Sequence, residues 1–186
     1  SVSVVSGSWI VPSIRRTSQN RFCAIWVGID GYSSSTVEQI GTEHDCINGR
    51  LRHYAWFEMY PDYSYMINGF PVRTGDIISA SVKYQGNNVF VMRLYNRTRR
   101  VATTVPTRYT TAAGTQRNSA EWIIEAPYLN GILPLINFGK IYVSNCRATI
   151  NGTLGKINNP AWKYESVAMI SPRGFYKAIP SALRYG

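Results

Sequence analysis

The sequence predicts an all-β fold, either an antiparallel sandwich or a barrel. Short segments rich in Val, Ile, Tyr, Phe and Trp recur along the 186 residues, and turn-forming pairs such as Asn-Gly separate them. No long apolar stretch shows the 3.6-residue period of a helix. Many short strands joined by frequent tight turns are typical of antiparallel sandwiches and barrels.

The elements can be assigned in chain order. The first five residues alternate like a strand, and further strands are expected at residues 22–29, 52–60, 77–84, 88–95, 120–126 and 165–170. Asx-Gly pairs readily adopt positive φ, so tight turns are expected at residues 30–31, 48–49, 68–69, 130–131 and 151–152. No repeat, low-complexity tract or linker divides the chain, so residues 1–186 are predicted to form one domain.

The composition excludes several classes of protein. Apolar residues make up 45% and charged residues 16%, which is too apolar for a disordered chain. No run approaches the ~18 apolar residues of a spanning helix, so no membrane span is predicted. Cys23, Cys46 and Cys146 leave two possibilities open, one disulfide with a free thiol or three buried thiols. Their spacing fits no zinc motif and only His44 and His53 could assist, so no metal site is expected.

The charge of the chain is unevenly distributed. Twenty Lys and Arg face ten Asp and Glu, a formal net charge of +10, and residues 94–186 carry +9 of it. This excess makes an anionic partner worth considering, because Arg97, Arg99 and Arg100 lie close together in sequence. No helix-turn-helix, zinc-finger, RNA-recognition or Gly-rich phosphate motif accompanies the charge, so specific nucleic-acid binding is not expected.

Three of the predicted strands place carboxylates beside apolar side chains on a single face. Residues two apart in a strand point to the same side, so Trp26 shares a face with Asp30, and Trp56 with Glu58. The third strand has Glu121, Ile123 and Glu125 on one face. Aromatic rings beside acids suit a groove that holds a polymer substrate, with the rings for packing and the acids for chemistry.

Several ordered motifs resemble those of the glutamic peptidases, also called eqolisins. They are WVGIDG at residues 26–31, QIGTE at 39–43, YAWFEMYP at 54–61, TGD at 74–76 and AEWIIEAP at 120–127. GSWIVP at residues 7–12 and LPLINFG at 133–139 are similar to the prokaryotic branch of the family. The resemblance extends from about residue 9 to residue 170, and its motifs agree with the family in order and spacing.

The resemblance implies a fold, an activity and a set of site residues. The family has a two-sheet antiparallel β-sandwich with a substrate groove on one sheet, and its members are pepstatin-insensitive endopeptidases that act at acidic pH without metal or cofactor. Its catalytic glutamine corresponds to Gln39 and its catalytic glutamate to Glu121. Four further family positions line the groove and correspond to Trp26, Asp30, Trp56 and Glu58.

The same resemblance implies the setting of the protein. The chain would be a single catalytic domain at residues 1–186, the mature peptidase without its propeptide, and it would be secreted. Its partner would be a polypeptide substrate, and it is expected to be a monomer without specific nucleic-acid binding. His44 and His53 match no nucleophile motif, so they are expected to be structural or exposed.

The expected dyad suits acid chemistry. Glu121 would take a proton from water and return it to the leaving amine, while the amide of Gln39 would donate to the oxyanion. A glutamate with the usual pKa of about 4.3 fits work in acid, and the positive charge of the chain is expected to keep Glu121 ionised to lower pH. Glu125 lies roughly 13 Å from Glu121 along the strand, so it is expected to be structural or to close one end of the groove.

Two alternatives stay open. A β-sandwich glycoside hydrolase also lines a groove with Trp and uses two carboxylates, and Glu58 and Glu121 could be that pair if their strands are neighbours. A non-catalytic module that binds carbohydrate or a polyanion is the second, and the basic second half of the chain motivates it. An essential Gln39 separates a peptidase from a glycosidase, because the glycosidase mechanism needs no amide.

Overall fold

The computed structural model describes residues 1–108 and 114–184, and two antiparallel sheets account for nearly all of its strands. In chain order the strands are β1 (Val2–Ile10), β2 (Ala24–Asp30), β3 (Val37–Ile47), β4 (Arg50–Tyr60), β5 (Tyr65–Met66), β6 (Ile77–Gly86), β7 (Val89–Asn96), β8 (Val101–Arg108), β9 (Ala120–Glu125), β10 (Val143–Ile150), β11 (Thr153–Lys156), β12 (Met169–Ile170) and β13 (Tyr176–Ala178).

The two sheets form a sandwich, which confirms the predicted fold class. The six-stranded sheet has the order β11-β10-β1-β6-β7-β8, and the five-stranded sheet has the order β5-β4-β3-β2-β9. Strands β12 and β13 form a separate small ladder near the end of the chain. In the part of the chain that the structure describes, no helix is long and apolar enough to cross a membrane.

Two of the expected Asx-Gly turns join neighbouring strands as tight hairpins. Asn48 and Gly49 connect β3 to β4 with φ of 50° and 71°. Asn151 and Gly152 connect β10 to β11 with φ of 50° and 79°. Positive φ at both central residues gives the turn the right-handed twist of the flanking strands, so the register of each hairpin is fixed.

The hydrophobic core lies between the inner faces of the sheets. The six-stranded sheet contributes Trp9, Phe90 and Met92, and the five-stranded sheet contributes Ile25 and Ile40, all almost fully buried. Burial of each such side chain stabilises the fold by about 1.5–3 kcal/mol relative to exposure. The inner faces therefore hold the sandwich together and leave both outer faces available for other functions.

The structure corrects part of the strand prediction. Strands β3, β5, β8, β10, β11 and β13 were not predicted, and of the strand expected at residues 165–170 only Met169–Ile170 pairs. Of the two possibilities for the cysteines, the structure shows three buried free thiols at Cys23, Cys46 and Cys146.

Candidate active site

The register of four strands brings the expected site residues into one row. On the outer face of the five-stranded sheet Glu58 lies opposite Gln39, Gln39 opposite Gly28, and Gly28 opposite Glu121. Residues in one row of an antiparallel sheet point to the same side. The sheet therefore places both members of the expected dyad on one face, with a glycine between them.

Gly28 keeps the space between Gln39 and Glu121 open. Two strand spacings separate the backbones of these two residues, about 10 Å in all. A Cβ at Gly28 would lie 2.9 Å from Trp26 Cζ3 and 3.2 Å from Gln39 Cβ, so a larger residue would crowd the site. The absence of a side chain at Gly28 therefore lets the Trp26 ring and the Gln39 side chain lie close to the β2 backbone.

The amide of Gln39 is oriented by its neighbour. Its Nε2 donates a hydrogen bond to Glu58 Oε2, and its Oε1 is buried without a hydrogen-bond partner among the described residues. Buried polar atoms are nearly always satisfied, so an unsatisfied one on a groove face indicates an atom that meets a ligand or water. Glu58 thus fixes which end of the amide faces the open space.

Glu121 is partly buried, and its pKa lies above the usual value. Burial is the largest cause, and the nearby charge of Asp30 raises the pKa further. Hydrogen bonds from the Ser119 side chain and the Tyr32 backbone act in the opposite direction but do not cancel the rise. The expectation that the positive charge of the chain would lower this pKa was wrong, because burial of the carboxyl group, with the charge of Asp30, raises it instead.

Asp30 lies beneath the groove rather than in its lining, which corrects its expected position. The residue has no exposed surface, and its carboxylate accepts hydrogen bonds from Thr115 Oγ1 at 2.7 Å, Arg117 N at 2.8 Å and Asn118 N at 2.9 Å. Its backbone N–H also donates to Ser119 O at 3.0 Å. These bonds hold the segment that leads into β9, so Asp30 positions Glu121.

Trp26 and Trp56 form one side of the groove. They lie in the next row of the sheet on either side of Gly41, and each is 7% exposed. Trp26 Nε1 donates to Glu125 Oε1 at 2.9 Å, whereas Trp56 Nε1 is buried without a partner in the described part of the chain. The two rings offer apolar surface beside the dyad, and Glu125 holds one of them in place.

A pair of acids not predicted from the sequence lies at the far end of the groove. Glu43 and Asp45 are buried on the groove side of β3 and hydrogen-bond to each other. Burial and the charge of Asp45 raise the pKa of Glu43 to about 9, and burial raises that of Asp45 to about 6. Two-residue alternation from Gln39 through Glu43 to Asp45 could have revealed them, had β3 been assigned as a strand.

The two histidines lie on the opposite side of the five-stranded sheet from Gln39 and Glu121. His44 and His53 lie on the core side of their strands and share a hydrogen bond of 2.8 Å between their Nδ1 atoms. Burial lowers the pKa of both. Among residues 1–108 and 114–184, no group of three or more His, Cys, Asp or Glu could hold a metal ion.

The geometry argues against the glycosidase alternative. Glu58 and Glu121 lie in the same row, but β3 and β2 separate their strands. Three strand spacings put their backbones about 14 Å apart, whereas retaining glycosidases hold their carboxyl groups about 5–5.5 Å apart. The condition that the two strands be neighbours is therefore not met.

Comparison with known proteins shows the family of the chain. The model of the peptidase A4 family matches residues 1–167. The chain belongs to the peptidase A4 family, the glutamic peptidases. Aspergillopepsin-2 of Aspergillus niger is 28% identical over 142 residues, which are 75% of this chain and 50% of that protein. The chain thus spans about half the length of that curated relative.

Solved structures of other glutamic peptidases share the fold. Scytalido-glutamic peptidase with a transition state analog inhibitor gives a TM-score of 0.73 at 25% identity, over 91% of this chain and 88% of that one. Aspergilloglutamic peptidase from Aspergillus niger gives a TM-score of 0.76 at 23% identity, over 84% and 90% of the two chains. In this chain, the row that contains Gln39, Gly28 and Glu121 lies on the outer face of the five-stranded sheet.

Proposed function

We propose that the chain is an acid-acting endopeptidase that hydrolyses peptide bonds with Glu121 and Gln39 as its catalytic pair. The observation that supports this most is the row in which the two side chains lie on either side of Gly28. A scissile peptide group above the glycine would have a carboxyl group on one side and an amide on the other. These are the groups that general acid–base catalysis and oxyanion stabilisation require.

In the proposed reaction, ionised Glu121 removes a proton from a water molecule that attacks the carbonyl carbon. The side-chain N–H of Gln39 that Glu58 does not use donates to the oxyanion, while Gln39 Oε1 orients the water. Protonated Glu121 then transfers its proton to the leaving amine, and the C–N bond breaks. The amide stays neutral at every working pH, so its donors remain available in acid.

The raised pKa of Glu121 supports both of its roles. A residue that acts first as base and then as acid works best with a pKa near the working pH. Burial and the charge of Asp30 raise this pKa, which makes the carboxylate a stronger base toward the attacking water and lets the group hold a proton under milder acidic conditions. The carboxyl and amide together supply the base, acid and oxyanion donor, so the proposed mechanism requires no metal or cofactor.

The family also motivates the proposed setting. We propose that the substrate is a polypeptide bound along the groove beside Trp26 and Trp56, and that the protein is a secreted, monomeric enzyme made with a propeptide. Residues 1–186 would form the single catalytic domain.

The test is a pH profile of casein cleavage with pepstatin present. Wild type should cleave in acid, and the acid limb of kcat/KM should lie above the ordinary glutamate pKa of about 4.3. Glu121→Gln should lose about 10³-fold or more in kcat at every pH. The matched control is Asp62→Asn, an exposed acid in the turn after β4, which should cleave normally. A Glu121→Gln protein that cleaves like wild type would overturn the proposal.

A further inference from the structure

We propose that the outer face of the six-stranded sheet, opposite the groove, is a binding site for a sulfated or phosphorylated oligosaccharide. This face contains a trough with a volume of about 480 Å³. Three arginines line it, Arg93, Arg97 and Arg147, together with serines of the two central strands. The groove of the peptidase uses the other sheet, so the trough is a separate site.

The register explains how the trough forms. Across the sheet Arg147 lies opposite Ser6, Ser6 opposite Ser81, and Ser81 opposite Arg93. In the next row Ser8 and Ser79 lie opposite each other, with a 2.8 Å hydrogen bond between their hydroxyls. Small serine side chains on the central strands make the floor, and the long arginines on the flanking strands make the walls.

A bulge widens one side of the trough. Strand β10 has an extra residue between the partners of Ser6 and Ser8, and Asn145 takes a φ of 53° there. A bulge redirects the side chains around it, and the Asn145 side chain is among those that line the trough. The bulge in β10 therefore adds the side-chain amide of Asn145 to the groups that line the trough.

The charge in the trough is not neutralised by the protein. Strands of the six-stranded sheet contain no Asp or Glu. Within residues 1–108 and 114–184 the one ion pair joins Arg99 to Asp76, outside the trough. Arg97 donates from Nε to Ser79 Oγ at 2.7 Å, which turns its guanidinium over the floor. Arginines gathered around hydroxyl donors, with no carboxylate among them, match the oxygens of a sulfate or phosphate ester.

The shape of the trough favours a saccharide over other polyanions. The walls on β10 and β7 are about 14 Å apart, which is wider than one sulfate group and suits a short oligomer. Tyr95, 41% exposed, offers one ring for a sugar to pack against, and the serines and Asn145 can bond its hydroxyls. Single-stranded nucleic acid needs several rings for successive bases. A flat lipid surface cannot enter a recess between two walls.

Isothermal titration calorimetry of the full chain with a heparin-derived hexasaccharide tests the proposal. Wild type should bind it, and inorganic sulfate should compete. The double variant Arg93→Ala/Arg147→Ala should weaken binding about tenfold or more through the loss of charge-assisted hydrogen bonds. The matched control Arg15→Ala/Arg173→Ala removes the same charge from exposed positions outside the sheet and should bind within about twofold of wild type. Casein cleavage should be the same in all three proteins.

A second pair of variants keeps every arginine. Ser81→Asp places a carboxylate on the floor and should abolish binding, whereas Ser81→Asn should retain it.

Equal affinity in the two arginine double variants would show general charge attraction and overturn the proposal. Tighter binding of single-stranded DNA or of phosphatidylserine vesicles than of the hexasaccharide, lost in Arg93→Ala/Arg147→Ala, would overturn the saccharide assignment.

Discussion

The two sheets of the sandwich share a core but differ in charge. Strands of the six-stranded sheet carry no carboxylate and five basic residues, Lys83, Arg93, Arg108, Arg147 and Lys156. Strands of the five-stranded sheet carry two basic residues, Arg50 and Arg52, and seven carboxylates, Asp30, Glu38, Glu43, Asp45, Glu58, Glu121 and Glu125. The net charge of +10 therefore does not show that the strands of one sheet are acidic and those of the other are basic.

Burial, with this separation of charge, accounts for the direction of the pKa shifts. Burial raises the pKa of Glu58, Glu121 and Glu125, and neighbouring carboxylates raise the first two further. The strands of the five-stranded sheet carry only Arg50 and Arg52 as cations, and most of the other basic residues lie outside the strands of both sheets. A chain can thus have a strongly positive net charge while the pKa values of these three glutamates are raised.

Among the variants that compare the two sheets, the largest effect on kcat is expected when Gln39 is replaced, and an amide on the other sheet serves as the control. Gln39→Ala should lower kcat for peptide cleavage by about 10²–10³-fold, because one oxyanion donor is lost. Gln85→Ala, an exposed amide on β6 of the other sheet, should leave kcat unchanged. Steady-state kinetics on a chromogenic peptide measures both. Equal activity of the two variants would remove Gln39 from the mechanism.

The next effect concerns the floor between the catalytic side chains. Gly28→Ala should lower kcat/KM by about tenfold to a hundredfold, because the new methyl group displaces Trp26 or Gln39 from the working geometry. Gly114→Ala adds a methyl group where no atom lies within 4 Å and should behave like wild type. Normal activity in Gly28→Ala would show that the space above Gly28 is not where the peptide reacts.

A smaller effect should appear in the pH dependence of stability. Folded Glu43 keeps its proton up to a pKa of about 9, whereas the usual value is 4.5. The folded state therefore binds more protons than the unfolded state between these pH values, and stability falls as pH rises through this window. Glu43→Gln avoids that loss and should raise the free energy of unfolding at pH 7 by about 1–3 kcal/mol.

At pH 4 the same substitution should change the free energy of unfolding little, since both states of Glu43 are then mostly protonated. Urea unfolding at the two pH values measures the difference. The control is Asp62→Asn, an exposed acid in the turn after β4, which should show no gain at pH 7. A gain for Glu43→Gln that is equal at pH 4 and pH 7 would contradict the raised pKa.

The smallest expected effect concerns stability at Asp76, which directly precedes β6 of the six-stranded sheet. Burial raises the pKa of Asp76, but hydrogen bonds from Arg99, Asn96 and the Arg73 backbone outweigh it and leave the pKa below the usual value. Ionised Asp76 therefore stabilises the folded state at pH values above the usual Asp pKa. This stabilisation is lost as the pH falls through the pKa that Asp76 has in the folded state. Arg99→Ala should cost about 1 kcal/mol at pH 7 and less at pH 2, measured by thermal unfolding, with exposed Arg50→Ala as control.

Much of the fold could be predicted from the sequence, because strands with one apolar face alternate visibly. Strand β3 could not, since both of its faces carry polar groups. Its groove side has Gln39 and Glu43, and its core side has Glu38 and His44, all buried by partners that come from other parts of the chain. A segment with this composition is typical of a loop until its neighbouring strands are known.

The candidate site was predictable in its residues but not in its arrangement. Motif resemblance selected Gln39 and Glu121, whereas their placement on either side of Gly28 depends on pairing register between strands distant in sequence. The pKa shift of Glu121 was expected in the wrong direction, because net charge does not reveal that folding buries this carboxyl group. The buried position of Asp30 likewise depends on the segment that folds over it.

A crystal structure of the protein with a peptide inhibitor that carries a tetrahedral hydroxyl tests the catalytic pair most directly. We expect this hydroxyl to lie above Gly28, within hydrogen-bond distance of both the Glu121 carboxyl and the Gln39 amide, while the peptide runs beside Trp26 and Trp56. A hydroxyl bound away from Gln39, between Glu58 and Glu125 or on the six-stranded sheet, would contradict it.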